Sequence, residues 1–232
     1  MQAFVTDWPG EKQHAKANAR ILAPYCSSVT ILDDPNDYFS AQWEKARSLL
    51  TDDIMIFNAG DCWPPIQEDL MFDEIKNLLS DGTGIGVYSP LIRWSNWQFP
   101  KITTEYNGVY TVPIVEMLFF AIRRDIVEAM PHGGRPDWIG VGIAYAMSAT
   151  AKRLGLKMVS DTVFTAAHPD DVSGYPKADA TKNMYTWLNS LDSEDRDAIQ
   201  SVISECFSTV LTGEENMKSF KITKEEIEKW RR

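Results

Sequence analysis

The chain is poor in cysteine and in positive charge, and it has no long apolar run. Its three cysteines, Cys26, Cys62 and Cys206, are scattered and show no CxxC spacing. This usage argues against a disulfide framework and favours a reducing compartment. No basic leader followed by an apolar core is visible at the N-terminus, and no apolar run reaches the roughly 18 residues needed to cross a bilayer. These absences predict a cytoplasmic protein without a signal peptide or a membrane anchor.

The charge balance restricts the partners of the chain. Lysine and arginine together number 23 against 33 acidic residues, so the formal net charge is −10. A surface of this sign does not by itself attract nucleic acid or anionic lipid. With 44% hydrophobic residues over 232 positions, the chain is nevertheless able to bury a sizeable core. Length and composition therefore predict one large α/β domain.

One segment, residues 53–65, carries the strongest functional signal. Residues 54–57 predict a core strand, and the sequence Asn-Ala-Gly-Asp at 58–61 follows where that strand leaves the sheet. Pro64 and Pro65 prevent the strand from continuing. In an open α/β sheet, ligands bind at the carboxyl ends of strands, and a carboxylate on a small turn suits a hard cation that carries phosphate oxygens. An ordinary Asx-type turn is the structural alternative here.

Strand and helix patterns alternate along the first half of the chain. The predicted strands are residues 3–6, 29–32, 54–57, 84–88, 117–122, 157–159 and 162–167. The predicted helices are residues 13–22, 40–50, 69–79, a short segment ending near 130, 142–154, and most of the chain from 179 onward. Residues 93–110 predict either a hairpin or an acceptor-side loop. Such alternation predicts a parallel, doubly wound sheet, followed by a mixed portion and a helical tail.

Four segments, taken in order, resemble the GT-A class of nucleotide-sugar glycosyltransferases, especially the family 2 type, over residues 3–176. They are Asp33-Asp34, the run 40–61 that ends in the acidic turn, the strand and basic corner 119–125, and the stretch from Gly140 through Asp161 to His168. The resemblance implies a GT-A (Rossmann-like) fold, with a mostly parallel mixed sheet flanked by helices. It also implies a catalytic core of residues 1–178 and a helical C-terminal extension of residues 179–232 packed on it.

The resemblance implies transfer of a hexosyl or pentosyl group from a nucleotide-diphosphate sugar, with UDP as the default because of the acidic Asp33-Asp34 turn. A divalent cation, Mn²⁺ or Mg²⁺, stabilises the diphosphate leaving group in such a reaction. Asp61 and His168 are the expected metal ligands, and an imidazole favours Mn²⁺ over Mg²⁺. A partly buried structural histidine is the alternative role for His168. The residues expected to bind the nucleotide sugar are Thr6, Asp7, Asp33, Asp34, Lys45, Asn58, Ala59 and Gly60.

Two positions depart from the family pattern. The acidic motif offers one carboxylate and one amide, Asp61 and Asn58, where two aspartates are usual. Ile143-Ala144 replaces an acidic pair that supplies the catalytic base in many relatives. Glu116 and Asp137 are the remaining candidates for that base. Burial among apolar neighbours would raise the pKa of Glu116. The alternatives are a solvated edge-strand glutamate and a helix-capping aspartate, and the stereochemistry of transfer stays open.

Five residues are expected to bind the acceptor. An arginine fork matches phosphate oxygens, and tryptophan stacks on sugars or bases. Solvated arginines and packing tryptophans are the structural alternatives. The five residues are Arg93, Trp94, Trp97, Arg123 and Arg124.

A compact GT-A chain without an anchor looks like the bacteriophage enzymes that glycosylate hydroxymethylated DNA bases, here in the host cytoplasm. Such an acceptor requires a basic surface and a base swung out of the duplex, and the net charge of −10 weighs against it. A polysaccharide, glycolipid or protein acceptor, and a non-catalytic nucleotide-sugar-binding module, are the alternatives. A nucleotidyltransferase is less favoured because no glycine-rich phosphate loop lies near the N-terminus. The cations available for DNA are Arg93, Lys101, Arg123, Arg124, Arg135, Lys152, Arg153, Lys182 and residues 229–232.

Overall fold

The structure, a computed structural model, describes most of the chain in nine segments. These are residues 1–7, 12–33, 39–65, 68–93, 103–106, 108–132, 140, 142–168 and 177–212. Within these segments, no helix combines the length and the apolar character that crossing a membrane requires.

Eight strands and seven helices occur in the described segments. The strands are β1 (Gln2–Thr6), β2 (Ser28–Leu32), β3 (Ile54–Ala59), β4 (Ile85–Arg93), β5 (Thr103–Tyr106), β6 (Val109–Thr111), β7 (Phe119–Arg123) and β8 (Lys157–Ala167). The helices are α1 (Lys12–Leu22), α2 (Phe39–Leu49), α3 (Glu68–Leu78), α4 (Arg124–Ala129), α5 (Ile143–Arg153), α6 (Lys177–Leu188) and α7 (Ser193–Thr212).

The strands form a single mixed sheet in the order β2-β1-β3-β7-β4-β8-β6-β5. β1 is parallel to both β2 and β3, and β4 is parallel to β8. β7 enters between β3 and β4 in the opposite direction, and β6 is antiparallel to β8 and β5. Only β7 and β6 therefore oppose the common direction of the other six strands. The helix-flanked, mostly parallel mixed sheet predicted from the sequence is confirmed.

Both faces of the central strands are buried. Along β3, Met55 and Phe57 pack into one hydrophobic cluster, whereas Ile56 packs into a second cluster on the other face. This alternation follows from the two-residue period of a strand. It also explains why the strand is a continuous apolar run, since helices cover the sheet on both sides. The burial fixes the position at which β3 emerges from the core and the polar turn begins.

Helices α6 and α7 extend the cluster formed by α5 and the first sheet face. Trp187 and Leu188 of α6, with Val202 and Ile203 of α7, belong to the same buried cluster as Met147. The helical tail thus packs on the sheet through an apolar face. The boundary after residue 178 stays a prediction, and the charged segment 223–232 lies outside the described residues.

Two predicted strand ends were wrong. β4 does not stop at Ser89-Pro90 but continues to Arg93. Proline is tolerated there because β7 pairs with β4 only as far as Tyr88, so the missing N–H faces no ladder on that side. The strand predicted at 157–159 does not end there: residues 162–167, predicted to continue the sheet, belong to the same strand, β8, which has an irregularity in the middle. β5 and β6 form a hairpin, which is one of the two alternatives predicted for residues 93–110.

Candidate functional site

The turn that carries Asp61 lies at the carboxyl end of β3, beside the end of β8. The N–H of Trp63 donates to the carbonyl of Ala167 at 2.8 Å, and the N–H of Ala167 donates back to the carbonyl of Trp63 at 3.0 Å. This reciprocal pair holds His168, the residue after β8, against the turn. Nε2 of His168 lies 3.2 Å from Oδ2 of Asp61, although 107 positions separate them in the chain. The structure thus brings together the two residues predicted as metal ligands.

Gly60 allows this turn to lie against the end of β1. Its N–H donates to Oγ1 of Thr6 at 3.2 Å. A Cβ atom at Gly60 would lie 2.2 Å from the carbonyl oxygen of Thr6, which is far inside van der Waals contact. Gly60 is not among the residues with positive φ. The close approach of two backbones therefore requires glycine here, and a left-handed conformation does not.

Two buried asparagines hold the turn from below. Asn18 of α1 donates through Nδ2 to the carbonyls of Gly60 (2.9 Å) and Cys62 (3.0 Å). Asn58 donates through Nδ2 to the carbonyls of Ala59 (2.6 Å) and Cys62 (2.8 Å). Because each amide nitrogen faces two carbonyl oxygens, a flipped amide would place oxygen against oxygen. Both side-chain orientations are fixed by this arrangement.

The reading of the sequence missed Asn18. A usable signal was present, because Asn18 interrupts an apolar stripe at helical spacing between Ala15 and Leu22, both of which are fully buried. A polar side chain on the core face of an amphipathic helix needs a partner inside the protein. What the sequence could not indicate was that the partner is the turn before Asp61.

The acceptor atoms at this edge are buried and unsatisfied. Four Oδ1 atoms accept no hydrogen bond from the described parts of the chain, and they belong to Asp7, Asn18, Asn58 and Asp61. Asp7 and Asp61 are each only 6% exposed. A buried acceptor without a partner costs on the order of 1–3 kcal/mol. Such a group of acceptors is suited to a ligand that brings donors or positive charge.

The donor set at Asp61 fits a divalent cation. A carboxylate and an imidazole are both ligands of Mn²⁺. Of the two carboxylate oxygens of Asp61, Oδ1 is the one that accepts no hydrogen bond from the described residues. No group of three or more metal-ligating side chains occurs within the nine described segments. A cation held by Asp61 and His168 would therefore take its remaining ligands from water or from a bound phosphate group.

Glu116 lies at the same edge of the sheet as Asp61. The N–H of Ala59 donates to the carbonyl of Leu118 at 2.7 Å, which ties the end of β3 to the segment containing Glu116. The Glu116 side chain is half-buried. Burial raises the pKa of the neighbouring Cys62 thiol, and the negative charges of Asp61 and Glu116 raise it further. Cys62 is fully buried and stays a neutral thiol at this edge.

The other predicted site residues are distributed unevenly. Asp33 is exposed at the carboxyl end of β2, and Lys45 is exposed on α2. The backbone of Arg93 pairs with Ala167, so β4 also ends beside His168. Asp34, Trp94, Trp97 and Asp137 lie outside the described residues.

Arg123 and Arg124 are at the opposite end of the sheet. Arg123 pairs in register with Ile54, the first residue of β3, whereas Asp61 follows the last. At about 3.3 Å per residue, the length of β3 separates the two ends by roughly 16 Å. The prediction that these two arginines bind the acceptor rests on guanidinium chemistry and on the resemblance of residues 119–125 to the family's basic corner. The antiparallel insertion of β7 places them away from Asp61, and their role in acceptor binding stays a prediction.

The chain matches no protein-family model and no curated protein sequence. Its fold is nevertheless similar to solved glycosyltransferase structures. GalNAc-T7 with UDP, GalNAc and Mn²⁺ gives a TM-score of 0.55 at 12% identity, over 84% of this chain and 48% of that one. Glucosyl-3-phosphoglycerate synthase from Mycobacterium tuberculosis, with Mn²⁺, UDP-glucose and phosphoglyceric acid, gives 0.52 at 14% identity, over 83% and 80%. The same synthase with Mg²⁺ and UDP gives 0.52 at 12% identity, over 83% and 80%.

These similarities establish the fold. The chain has the GT-A arrangement of a Rossmann-like mixed sheet flanked by helices, as the sequence predicted. It spans about half the length of the GalNAc-T7 chain. Fold similarity at this level of identity does not transfer an activity, because one fold supports many functions.

Proposed function

We propose that the protein is a metal-dependent glycosyltransferase that moves a sugar from a UDP-linked donor to a hydroxyl acceptor. The observation that carries the proposal is the contact between Asp61 and His168, surrounded by unsatisfied buried acceptors, at the carboxyl edge of a GT-A sheet. The solved structures of similar fold contain UDP with Mn²⁺ or Mg²⁺, and this supports the choice of donor and cofactor.

Asp61 and His168 would hold the cation, and Mn²⁺ suits this pair best. When bound, a divalent cation acts as a Lewis acid towards the diphosphate leaving group. The chain itself orients the carboxylate, because Asn18 and Asn58 fix the carbonyls on either side of Asp61. The backbone bridge between Trp63 and Ala167 fixes the imidazole. The fold therefore positions both metal-ligating side chains before a cation or a nucleotide binds.

One of the remaining acceptors suits the nucleoside. Oδ1 of Asp7 is unsatisfied at the end of β1, in a side chain that keeps a small exposed surface. Ribose hydroxyls and the uracil N–H are the donors that a uridine nucleotide would bring to such an atom. Gly60 keeps the turn thin enough for a diphosphate to approach the backbone. Thr6 supports the turn through its hydroxyl, and Asp33 would lie at the outer rim of this region.

Glu116 is the residue we propose as the base that removes the acceptor proton. It is half-buried at the edge that carries Asp61, and its carboxylate raises the pKa of Cys62 there. The position where many relatives carry an acidic pair supplies no base in this chain. Ile143 and Ala144 belong instead to the hydrophobic core cluster beneath α5. Packing therefore accounts for this departure from the family pattern.

The modified DNA base predicted from the sequence stays a prediction. Four of the cations invoked for DNA form ion pairs with carboxylates of the chain: Arg123, Arg124, Lys152 and Arg153. These pairs reduce the positive charge available for phosphate contacts. A polysaccharide, glycolipid or protein hydroxyl is therefore as suitable an acceptor. Binding to hydroxymethylated duplex DNA at low salt tests the DNA acceptor directly, and a cytoplasmic location likewise stays a prediction.

Thermal stability in the presence of nucleotides tests the donor site. At about 100 times its dissociation constant, a ligand of the native state adds roughly 2.7 kcal/mol. For a domain of this size, that corresponds to an increase in Tm of about 5–10 °C. We expect UDP with Mn²⁺ to stabilise the wild type by this amount, and we expect Asp61→Ala to lose the effect.

Asp53→Ala is the matched control, because Asp53 precedes the same strand but is 90% exposed at the opposite end of the sheet. It should respond to UDP and Mn²⁺ as the wild type does. A wild type that responds to no nucleotide with either metal, or an Asp61→Ala variant that responds fully, contradicts the proposal. Release of UDP from a panel of UDP-sugars and hydroxyl acceptors then separates an enzyme from a binding module.

A further inference from the structure

β8 contains an insertion just before it reaches the site. Pro90 of β4 pairs with Asp161, but the next residue, Leu91, pairs with Thr165. Residues 162–164 of β8 therefore have no partners on β4. Paired residues of neighbouring strands face the same side of a sheet, so an odd number of extra residues reverses the face of everything that follows. Without the insertion, Arg93 would pair with Phe164 instead of Ala167.

Asp161 closes this bulge from inside the protein. Its Oδ1 accepts the N–H of Val163 at 2.8 Å, and its Oδ2 accepts the hydroxyl of Tyr88 at 3.1 Å. On the outer side, the N–H of Thr162 donates to the carbonyl of Gly108 at 2.8 Å. The bulge is therefore held on one side by the β6 hairpin and on the other by a single carboxyl group.

A carboxyl group in this position is costly. Asp161 is 1% exposed, and it has no ion pair with a lysine, arginine or histidine in the described part of the chain. Burial raises the pKa of Asp161, although the bonds from Val163 and Tyr88 oppose the shift. Tyr88 is fully buried, and burial raises the pKa of its hydroxyl as well. An acid that is buried without a cationic partner destabilises the fold, so its presence at this position needs an explanation.

The explanation lies downstream in β8. After the bulge, Ala167 forms the reciprocal bridge to Trp63, and His168 then contacts Asp61. Both contacts depend on the register that the extra residues create. We infer that Asp161 is a positioning residue, which holds the β8 bulge so that the His168 imidazole meets the Asp61 carboxylate. This inference rests on the proposed function, because it assigns Asp161 to the assembly of the same cation site.

The affinity of the purified full chain for Mn²⁺ in the presence of UDP tests the inference, and titration calorimetry measures it. Outer residues that orient metal ligands change metal affinity by about 10- to 100-fold when they are replaced. We expect Asp161→Ala to weaken Mn²⁺ binding by at least about tenfold on this basis. Asp161→Asn keeps an oxygen for the N–H of Val163 and should stay within about threefold of the wild type.

Tyr88→Phe is the matched control. It removes the donor to the other carboxyl oxygen and leaves the bulge N–H bond intact, so Mn²⁺ affinity should stay near the wild-type value even if Tm falls. The imidazole NMR signals of His168 without metal supply a second readout, and they should shift in Asp161→Ala but not in Tyr88→Phe. If Asp161→Ala does not fold, Val163→Pro removes the same hydrogen bond from the donor side, at a side chain that is 61% exposed.

The outcomes separate the two proposals. A wild type that binds neither Mn²⁺ nor UDP contradicts the proposed function, and the His168 signals then still report on the position of the imidazole. A wild type that binds Mn²⁺ and UDP overturns the inference if Asp161→Ala, or Val163→Pro in its place, binds with equal affinity and unchanged His168 signals. Equal losses in Asp161→Ala and Tyr88→Phe also overturn it, because they indicate general destabilisation.

Discussion

The two ends of the central sheet treat their polar groups in opposite ways. At the amino end of β3 and β4, half-buried arginines pair with exposed carboxylates: Arg123 lies 3.1 Å from Asp81, and Arg124 lies 2.7 Å from Asp53. The carboxylates there are 97% and 90% exposed. At the carboxyl end, Asp61 is almost fully buried, and one of its oxygens has no partner in the described residues.

Whether polar groups have hydrogen-bonding partners therefore distinguishes a structural surface from a candidate site better than their charge does. Exposed ion pairs contribute about 0–1 kcal/mol, and the groups that form them are hydrated in any case. Buried acceptors without donors cost free energy that folding alone does not recover. Two of the three arginines predicted to bind the acceptor, Arg123 and Arg124, lie at the amino end, where carboxylates already pair with them. The unmet hydrogen-bonding capacity lies at the Asp61 end.

Gly60→Ala, at the carboxyl end of the sheet, is expected to have the largest effect on stability. The new Cβ would lie 2.2 Å from a backbone oxygen of β1, so the turn or the strand has to move. We expect a loss of about 3 kcal/mol in the free energy of unfolding, measured by urea denaturation.

Gly82→Ala, at the opposite end of the sheet, serves as the control for that substitution. No atom lies within 4 Å of its Cβ position, and its φ of +89° leaves only conformational strain. We expect Gly82→Ala to lower the free energy of unfolding by about 1–2 kcal/mol. Equal losses of unfolding free energy at both glycines would show that backbone crowding is not specific to the Asp61 turn.

Asn18→Ala is expected to have an intermediate effect. It leaves the carbonyls of Gly60 and Cys62 with one donor fewer each, at a cost of about 1–2 kcal/mol. Asn58 donates to the same Cys62 carbonyl, so the double variant with Asn58→Ala should be non-additive in a double-mutant cycle. Additive losses would show that the two amides act independently and do not share the Cys62 carbonyl.

Arg124→Ala is expected to have the smallest effect, although it removes a full charge. Its partners Asp53 and Glu128 are 90% and 70% exposed, so the pairs are worth less than about 1 kcal/mol. Stabilisation by UDP and Mn²⁺ should be unchanged. A loss of nucleotide binding in this variant would show that the amino end of the sheet contributes to the candidate site.

The sequence predicted those parts of the site that depend on neighbouring residues. The strand at 54–57, the thin turn that follows it and the exit at Asp61 are local features of apolar pattern, glycine and proline. Long, strongly patterned helices such as α1 and α5 were predicted for the same reason. The supporting residues Asn18 and Asp161 were not assigned to the site, because their partners are distant in the chain. The apolar stripe around Asn18 indicates only that this residue needs a buried partner, not which residues supply it.

The strand, the small acidic turn and the helix-flanked sheet follow from the sequence, because side-chain periodicity and backbone restrictions act over a few residues. Which groups meet depends on how the strands assemble. The antiparallel entry of β7 moved Arg123 and Arg124 to the far end, and the bulge in β8 brought His168 to Asp61 across 107 positions. Strand order and register depend on packing between distant segments, and that information is spread over the whole chain.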